Sequence, residues 1–197
     1  MKRLIAILLA VCTLSFAGYG DYSYDSGISN AGIIAIQTAS EDILETQKNI
    51  TFPEANYIAR LVYDETYSSP LEFSYVMAII KTESRFNVNA KSYCGAMGLM
   101  QIMPKTFEAV AKKNGLPYTR HDAYDPKKNI QIGVLYLESL YERYAHLDYV
   151  SAGYNGGPGA ANKYVKGKFY HMPKQTQNYV MKVRQYHNEY RTLIGEI

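Results

Sequence analysis

The 197-residue chain has no tryptophan and only two cysteines, Cys12 and Cys94. Two thiols, one of them inside an N-terminal apolar run, give no disulfide framework, so stability has to come from packing. An excess of one charge sign is also missing: 21 Lys and Arg stand against 18 Asp and Glu. Lys2 and Arg3 supply two of the three excess positive charges, and without them little argues for nucleic acid or an anionic membrane surface as a partner. No apolar run reaches the roughly 20 residues a membrane-spanning helix needs, so no integral span is expected. His121, His146, His171 and His187 lack the paired spacing of metal ligands, and neither a metal nor another cofactor is implied.

What is present begins with a secretory pattern. Residues 1–3 are a basic start, residues 4–14 an apolar stretch, and Ser15-Phe16-Ala17 places small residues before a cut ahead of Gly18. Residues 1–17 therefore read as a cleaved signal peptide and the product as an exported protein of the periplasm or cell envelope. A lipid anchor at Cys12 fits less well, because Val11 is bulky and the apolar run continues past it. Residues 18–52 open with GYGDYSYDSGISN, which reads as a flexible tether. Within them, residues 33–48 have room for a short helix, with Thr38 and Glu41 in capping-box spacing.

From residue 53 to the C-terminus the pattern is helical and almost without strand signals. Prolines at 53, 70, 104, 126 and 173 stand where helices begin, and Gly115 and the Gly156-Gly157-Pro158-Gly159 run stand where they stop. The spacing predicts helices over about 53–67, 70–84, 104–114, 126–145, 147–155, a short one to Val165, and 173–193. The expected domain is all-α, with six to seven helices and little or no sheet.

Phe73, Val76, Met77, Ile80 and Glu83 fall at i, i+3, i+4, i+7 and i+10, so a helix face of four apolar side chains ends in a carboxylate. A carboxyl that faces the core is partly desolvated, and its pKa rises toward the range useful for a general acid. The plainer alternative is a solvated helix-end Glu paired with Lys81 or Arg85. The loop after it, GAMGLMQIMP, weighs for chemistry. Two glycines three apart allow close backbone approach, and the amide and thioether side chains suit the hydroxyl, acetamido and ring-face surfaces of a sugar. Cys94 in this loop reads as a packing residue. The 20 tyrosines read chiefly as packing residues too, several of them available for stacking on sugars.

The run ESRFNVNAKSYCGAMGLMQIMP resembles the signature of the soluble lytic transglycosylase family, enzymes of peptidoglycan with a goose-lysozyme-like α fold. Ser151-Ala-Gly-Tyr154-Asn155-Gly-Gly-Pro-Gly is similar to that family's second motif, and Gln175-Thr176-Gln-Asn-Tyr179-Val180 to its third. The resemblance implies that Glu83 is the catalytic acid and base and that Ser92 hydrogen-bonds in the reacting centre. It implies that Gln101 and Met103 line a saccharide groove, Tyr154 holds its hydroxyl near the carboxylate, Asn155 orients its motif and Tyr179 closes the site. Three departures stand out: Val88 in place of a proline, Gly153 and Gly156 in place of alanines, and Gln175 where a Glu is frequent.

Ordinary glycosidases place a second carboxylate across the scissile bond, about 5 Å away for retention or roughly 6.5–9.5 Å for inversion. Between Ser84 and His121 the chain offers Glu108 alone, and Asp122 and Asp125 would have to fold back to serve. The implied reaction needs neither: the muramoyl 6-hydroxyl attacks the anomeric carbon and leaves a 1,6-anhydro end, with peptidoglycan glycan strands as the partner. A hydrolysing muramidase and a non-catalytic wall-binding or assembly module are the competing expectations.

Overall fold

The computed structural model describes residues 27–197. The expected signal peptide, Cys12 and the first part of the tether lie outside the described residues. Seven α-helices follow in order: α1 (Asn30–Thr46), α2 (Phe52–Thr66), α3 (Phe73–Glu83), α4 (Pro104–Lys113), α5 (Pro126–Tyr144), α6 (Leu147–Val165) and α7 (Lys174–Leu193). Short 3-10 turns at Arg120–Tyr124 and Phe169–His171 connect α4 to α5 and α6 to α7. Among the described residues there is no sheet; two isolated bridges, Lys91 with Met97 and Met97 with Ile102, shape the long α3–α4 loop.

The helix starts follow the local chemistry. Pro104 and Pro126 stand in the first turns of α4 and α5, where a missing N–H costs nothing. Asp125 caps α5 by accepting the Lys128 N–H at 2.8 Å, and Thr51 with Glu54 forms a capping box on α2. Pro70 does not open α3; the helix begins three residues later behind Glu72, and Pro70 sits in the preceding turn. The predicted break near residue 156 is present as a kink within α6, where Gly157 has φ 72 and ψ 178.

α3 is the centre of the molecule. Every residue from Phe73 to Ile80 is buried, and all but Ser74 are apolar or aromatic, because α2 and α7 both pack against the helix. Surrounding a helix on all sides removes the requirement for an amphipathic pattern. Residues 27–52 differ most from the expected tether. Within them α1 packs along α2, with Ala39 and Ile43 fully buried in the main core, so the packed unit crosses the boundary expected at residue 53.

Candidate active site

Glu83 is the last residue of α3. Immediately after it Arg85 and Phe86 both adopt positive φ, 52 and 64, which swings the chain back across the end of the helix. Left-handed conformations cost a bulky residue about 1 kcal/mol or more, and Phe86 offsets that by being buried. Such a concentration of strain beside one carboxylate is a common mark of a functional site.

Loss of hydration in this position pushes the Glu83 pKa up from the usual 4.5 to about 7, against the opposing pull of one hydrogen bond. That bond comes from Tyr179 on α7, whose hydroxyl donates to Glu83 Oε1 at 2.7 Å. Burial and the neighbouring carboxylate hold the Tyr179 phenol well above its ordinary range, so it stays a donor. Among the described residues no second acid acts on Glu83. Asp122 accepts the Thr119 N–H at 2.6 Å and pairs with Lys128 at 2.9 Å, while Asp125 is the α5 cap. Both candidate second carboxylates are thus engaged in building the start of α5.

Tyr154 lies near the carboxylate and is anchored elsewhere. Its hydroxyl does not bond Glu83 but donates to the Met100 carbonyl at 2.7 Å, although it lies close enough to feel the Glu83 charge. The Met100 N–H is held from the other side by Asn129 on α5, whose Oδ1 accepts it at 2.8 Å. Asn129 also donates through Nδ2 to the Met97 carbonyl at 3.1 Å and the Ala123 carbonyl at 2.8 Å. It is fully buried and saturated, and it is the key residue that the sequence did not point to. The one available signal was an amide in the apolar register beside Ile130. Gly98 is forced by the same contact: a Cβ there would meet the Ala123 carbonyl oxygen at 2.2 Å, and its φ is 74.

Gln101 donates its amide nitrogen to the carbonyls of Ala90 and Gly98, at 3.0 and 2.9 Å, so it holds the loop. Ser92 likewise accepts the Ala96 N–H at 2.9 Å and retains its own O–H to donate. Met103 is the residue before α4 and is 43% exposed, and Asn155 is partly exposed two residues ahead of the α6 kink at Gly157. Cys94 is exposed, not packed as expected. Gln175 is exposed at the start of α7.

The glycine at 156 has a physical reason. An added Cβ would lie 2.7 Å from both the Ala160 Cβ and Thr176 Oγ1, so buried Thr176 occupies the space an alanine would need. Beside the site, Tyr136 on α5 packs against Tyr154 with ring centroids 5.3 Å apart and lines a groove of about 440 Å³ between α4 and α5. No described helix is long and apolar enough to cross a membrane.

Residues 61–178 match the family described as Transglycosylase SLT domain. The soluble lytic murein transglycosylase of Salmonella typhimurium is 33% identical over 144 residues, which cover 66% of this chain and 22% of that protein. The membrane-bound lytic murein transglycosylase C of Haemophilus influenzae is 39% identical over 104 residues, covering 46% and 28%. Among solved structures, the 70 kDa soluble lytic transglycosylase of Escherichia coli superposes with a TM-score of 0.66 at 29% identity, over 84% of this chain and 30% of that one. An inactive glutamate-to-glutamine mutant of the Pseudomonas aeruginosa lytic transglycosylase Slt superposes with a TM-score of 0.63 at 28% identity, over 68% and 24%. The chain thus spans less than a third of the length of each of these relatives.

Proposed function

Because this chain belongs to the Transglycosylase SLT family, we propose that it is a peptidoglycan lytic transglycosylase of the cell envelope in which Glu83 is the sole catalytic carboxyl group. The observation that carries this reading is the state of Glu83. It is a lone acid held near pKa 7 by burial, oriented by Tyr179, with no other acid acting on it among the described residues. The inactive glutamate-to-glutamine mutant of the Pseudomonas aeruginosa relative fits a reading in which one glutamate is essential.

Tyr179 occupies Oε1, which leaves Oε2 to carry the proton. In the proposed reaction that proton passes to the glycosidic oxygen between N-acetylmuramic acid and N-acetylglucosamine. The bond from the muramoyl anomeric carbon to that oxygen breaks, and the N-acetylglucosamine leaves with its 4-hydroxyl restored. The substrate's own acetamido group stabilises the positive anomeric centre, as in substrate-assisted glycosidases. Glu83, now a carboxylate stabilised by the Tyr179 hydroxyl, takes the proton of the muramoyl 6-hydroxyl as O6 bonds to the anomeric carbon. The acid is regenerated and no water is consumed.

Ser92 through its own O–H, Gln101, and exposed Met103 form the proposed groove wall. Asn155 and Tyr154 hold the opposite side. Mass spectrometry of peptidoglycan digested with the purified protein tests the reading. Products ending in 1,6-anhydromuramoyl groups support it. Reducing ends point to hydrolysis and an intact wall to a binding module, and either would replace it.

A further inference from the structure

The region matched to the family begins at residue 61, yet a contact reaching the end of α3 comes from well before it. Asp42, on α1, pairs with Lys81 Nζ at 2.6 Å, and both side chains are 17% exposed. The other Asp42 oxygen accepts a hydrogen bond from the hydroxyl of Tyr190 on α7, itself 1% exposed. The Lys81 ammonium lies over the rings of Tyr186 and Tyr190, 4.9 and 5.5 Å from their centroids. Three helices therefore meet around one shielded carboxylate.

The placement matters because of what else these helices carry. On α3, Lys81 is two residues from Glu83. On α7, Tyr179, Val183, Tyr186 and Tyr190 are spaced four, three and four apart, so one face presents Tyr179 to Glu83 and Tyr186 and Tyr190 to Lys81. Any slide of α7 along α3 changes both sets of contacts together. Asp42 grips both helices at once, through Lys81 on one and Tyr190 on the other.

We infer that Asp42 is a positioning residue for the proposed active site, fixing the register of α3 against α7 and with it the Glu83–Tyr179 hydrogen bond. The inference rests on Glu83 being the acid, and it extends the working unit to α1, outside the matched region. Removing the Asp42 charge would leave Lys81 without its carboxylate partner at the helix end that carries the acid. A hydrogen bond as short and directional as the one to Glu83 does not survive small displacements.

A second tie between the same two helices supplies the comparison. At the start of α3, Glu72 bonds His187 at 2.7 Å and lies 3.7 Å from Arg191, far along the helix from Glu83. The experiment compares Asp42→Asn, Glu72→Gln and Glu83→Gln in the full chain. It measures melting temperature, and kcat and KM for release of soluble fragments from purified peptidoglycan. Asp42→Asn is expected to lower kcat roughly tenfold with KM within about twofold, the signature of a misaligned reacting group and not of weakened binding. Glu72→Gln is expected to lower the melting temperature without lowering kcat at a temperature where it is folded. Should Asp42→Asn not fold, Tyr190→Phe removes one bond of the set and is expected to lower kcat by a smaller factor at unchanged KM. Unchanged kcat in the folded Asp42 or Tyr190 variant, or equal kcat losses in Asp42→Asn and Glu72→Gln, overturns the inference. Full activity in Glu83→Gln overturns the catalytic reading instead.

Discussion

Tyr179 donates its hydroxyl to Glu83 across 96 residues of sequence, and it is the hydrogen bond that partly offsets the burial of that carboxyl. The two effects oppose one another. Burial favours the acid form, and the phenol steadies the carboxylate form.

The pH dependence of kcat/KM should show an alkaline limb near 7, where Glu83 loses the proton that the first step requires. Tyr179→Phe removes the interaction that lowers this pKa, so the limb should move to higher pH. The rate at pH 6 should fall by about tenfold or more for want of a stabilised carboxylate. A limb that stays in place in Tyr179→Phe would show that another group governs it.

Glu83→Gln should lower activity by about 10²- to 10⁴-fold, the usual contribution of general acid–base catalysis. The same change should stabilise the fold in a pH-dependent way. Glu83 has a raised pKa when folded, so between about pH 4.5 and 7 the unfolded chain gives up a proton that the folded one keeps. Wild-type stability therefore declines as pH rises through that window and levels off above it, at a cost of up to about 3 kcal/mol. Melting curves at pH 4 and pH 8 check this: the variant should gain over wild type at pH 8 and show little gain from this source at pH 4.

Asn129→Ala should destabilise the protein by about 2–4 kcal/mol, because the Met100 N–H and the Met97 and Ala123 carbonyls lose their partner in a buried place. Urea denaturation gives the size of the effect. Activity should fall with it in the variant that remains folded, since the loop that Tyr154 also holds loses its α5 anchor.

Gly156→Ala should cost about 1–3 kcal/mol by overpacking, given contacts of 2.7 Å to Ala160 and Thr176. Combining it with Thr176→Ser removes the methyl at 3.0 Å and should recover part of the loss. A double-mutant cycle in thermal denaturation reads that coupling; strict additivity would mean the two positions do not share space.

The helices were legible because each carries its own punctuation, and six of the seven begin or end within a few residues of a proline, glycine or capping side chain seen in the sequence. Glu83 was legible for a related reason: a carboxylate at the end of an apolar stripe reveals its surroundings by spacing alone. Asn129 was not, since its partners are backbone atoms up to 32 residues away and no pattern of side chains encodes them. The actual target of the Tyr154 hydroxyl was hidden in the same way. The loop amide of Gln101 looked like a ligand contact by type, whereas its nitrogen is committed to Ala90 and Gly98. The burial of α1 was obscured by the Gly- and Ser-rich stretch before it, which suggested a tether where one face of a helix enters the core.

The loop between α3 and α4 is shaped by clasps on its main chain: Met100 is gripped at its N–H by α5 and at its C=O by α6, and Met97 is bridged to Ile102. A path fixed through peptide groups is indifferent to which side chains it carries toward solvent. Exposed residues such as Tyr93, Cys94 and Met103 can therefore be exchanged without redirecting the loop. The side chains the loop displays and the course it follows are separable here, because the helices hold the second.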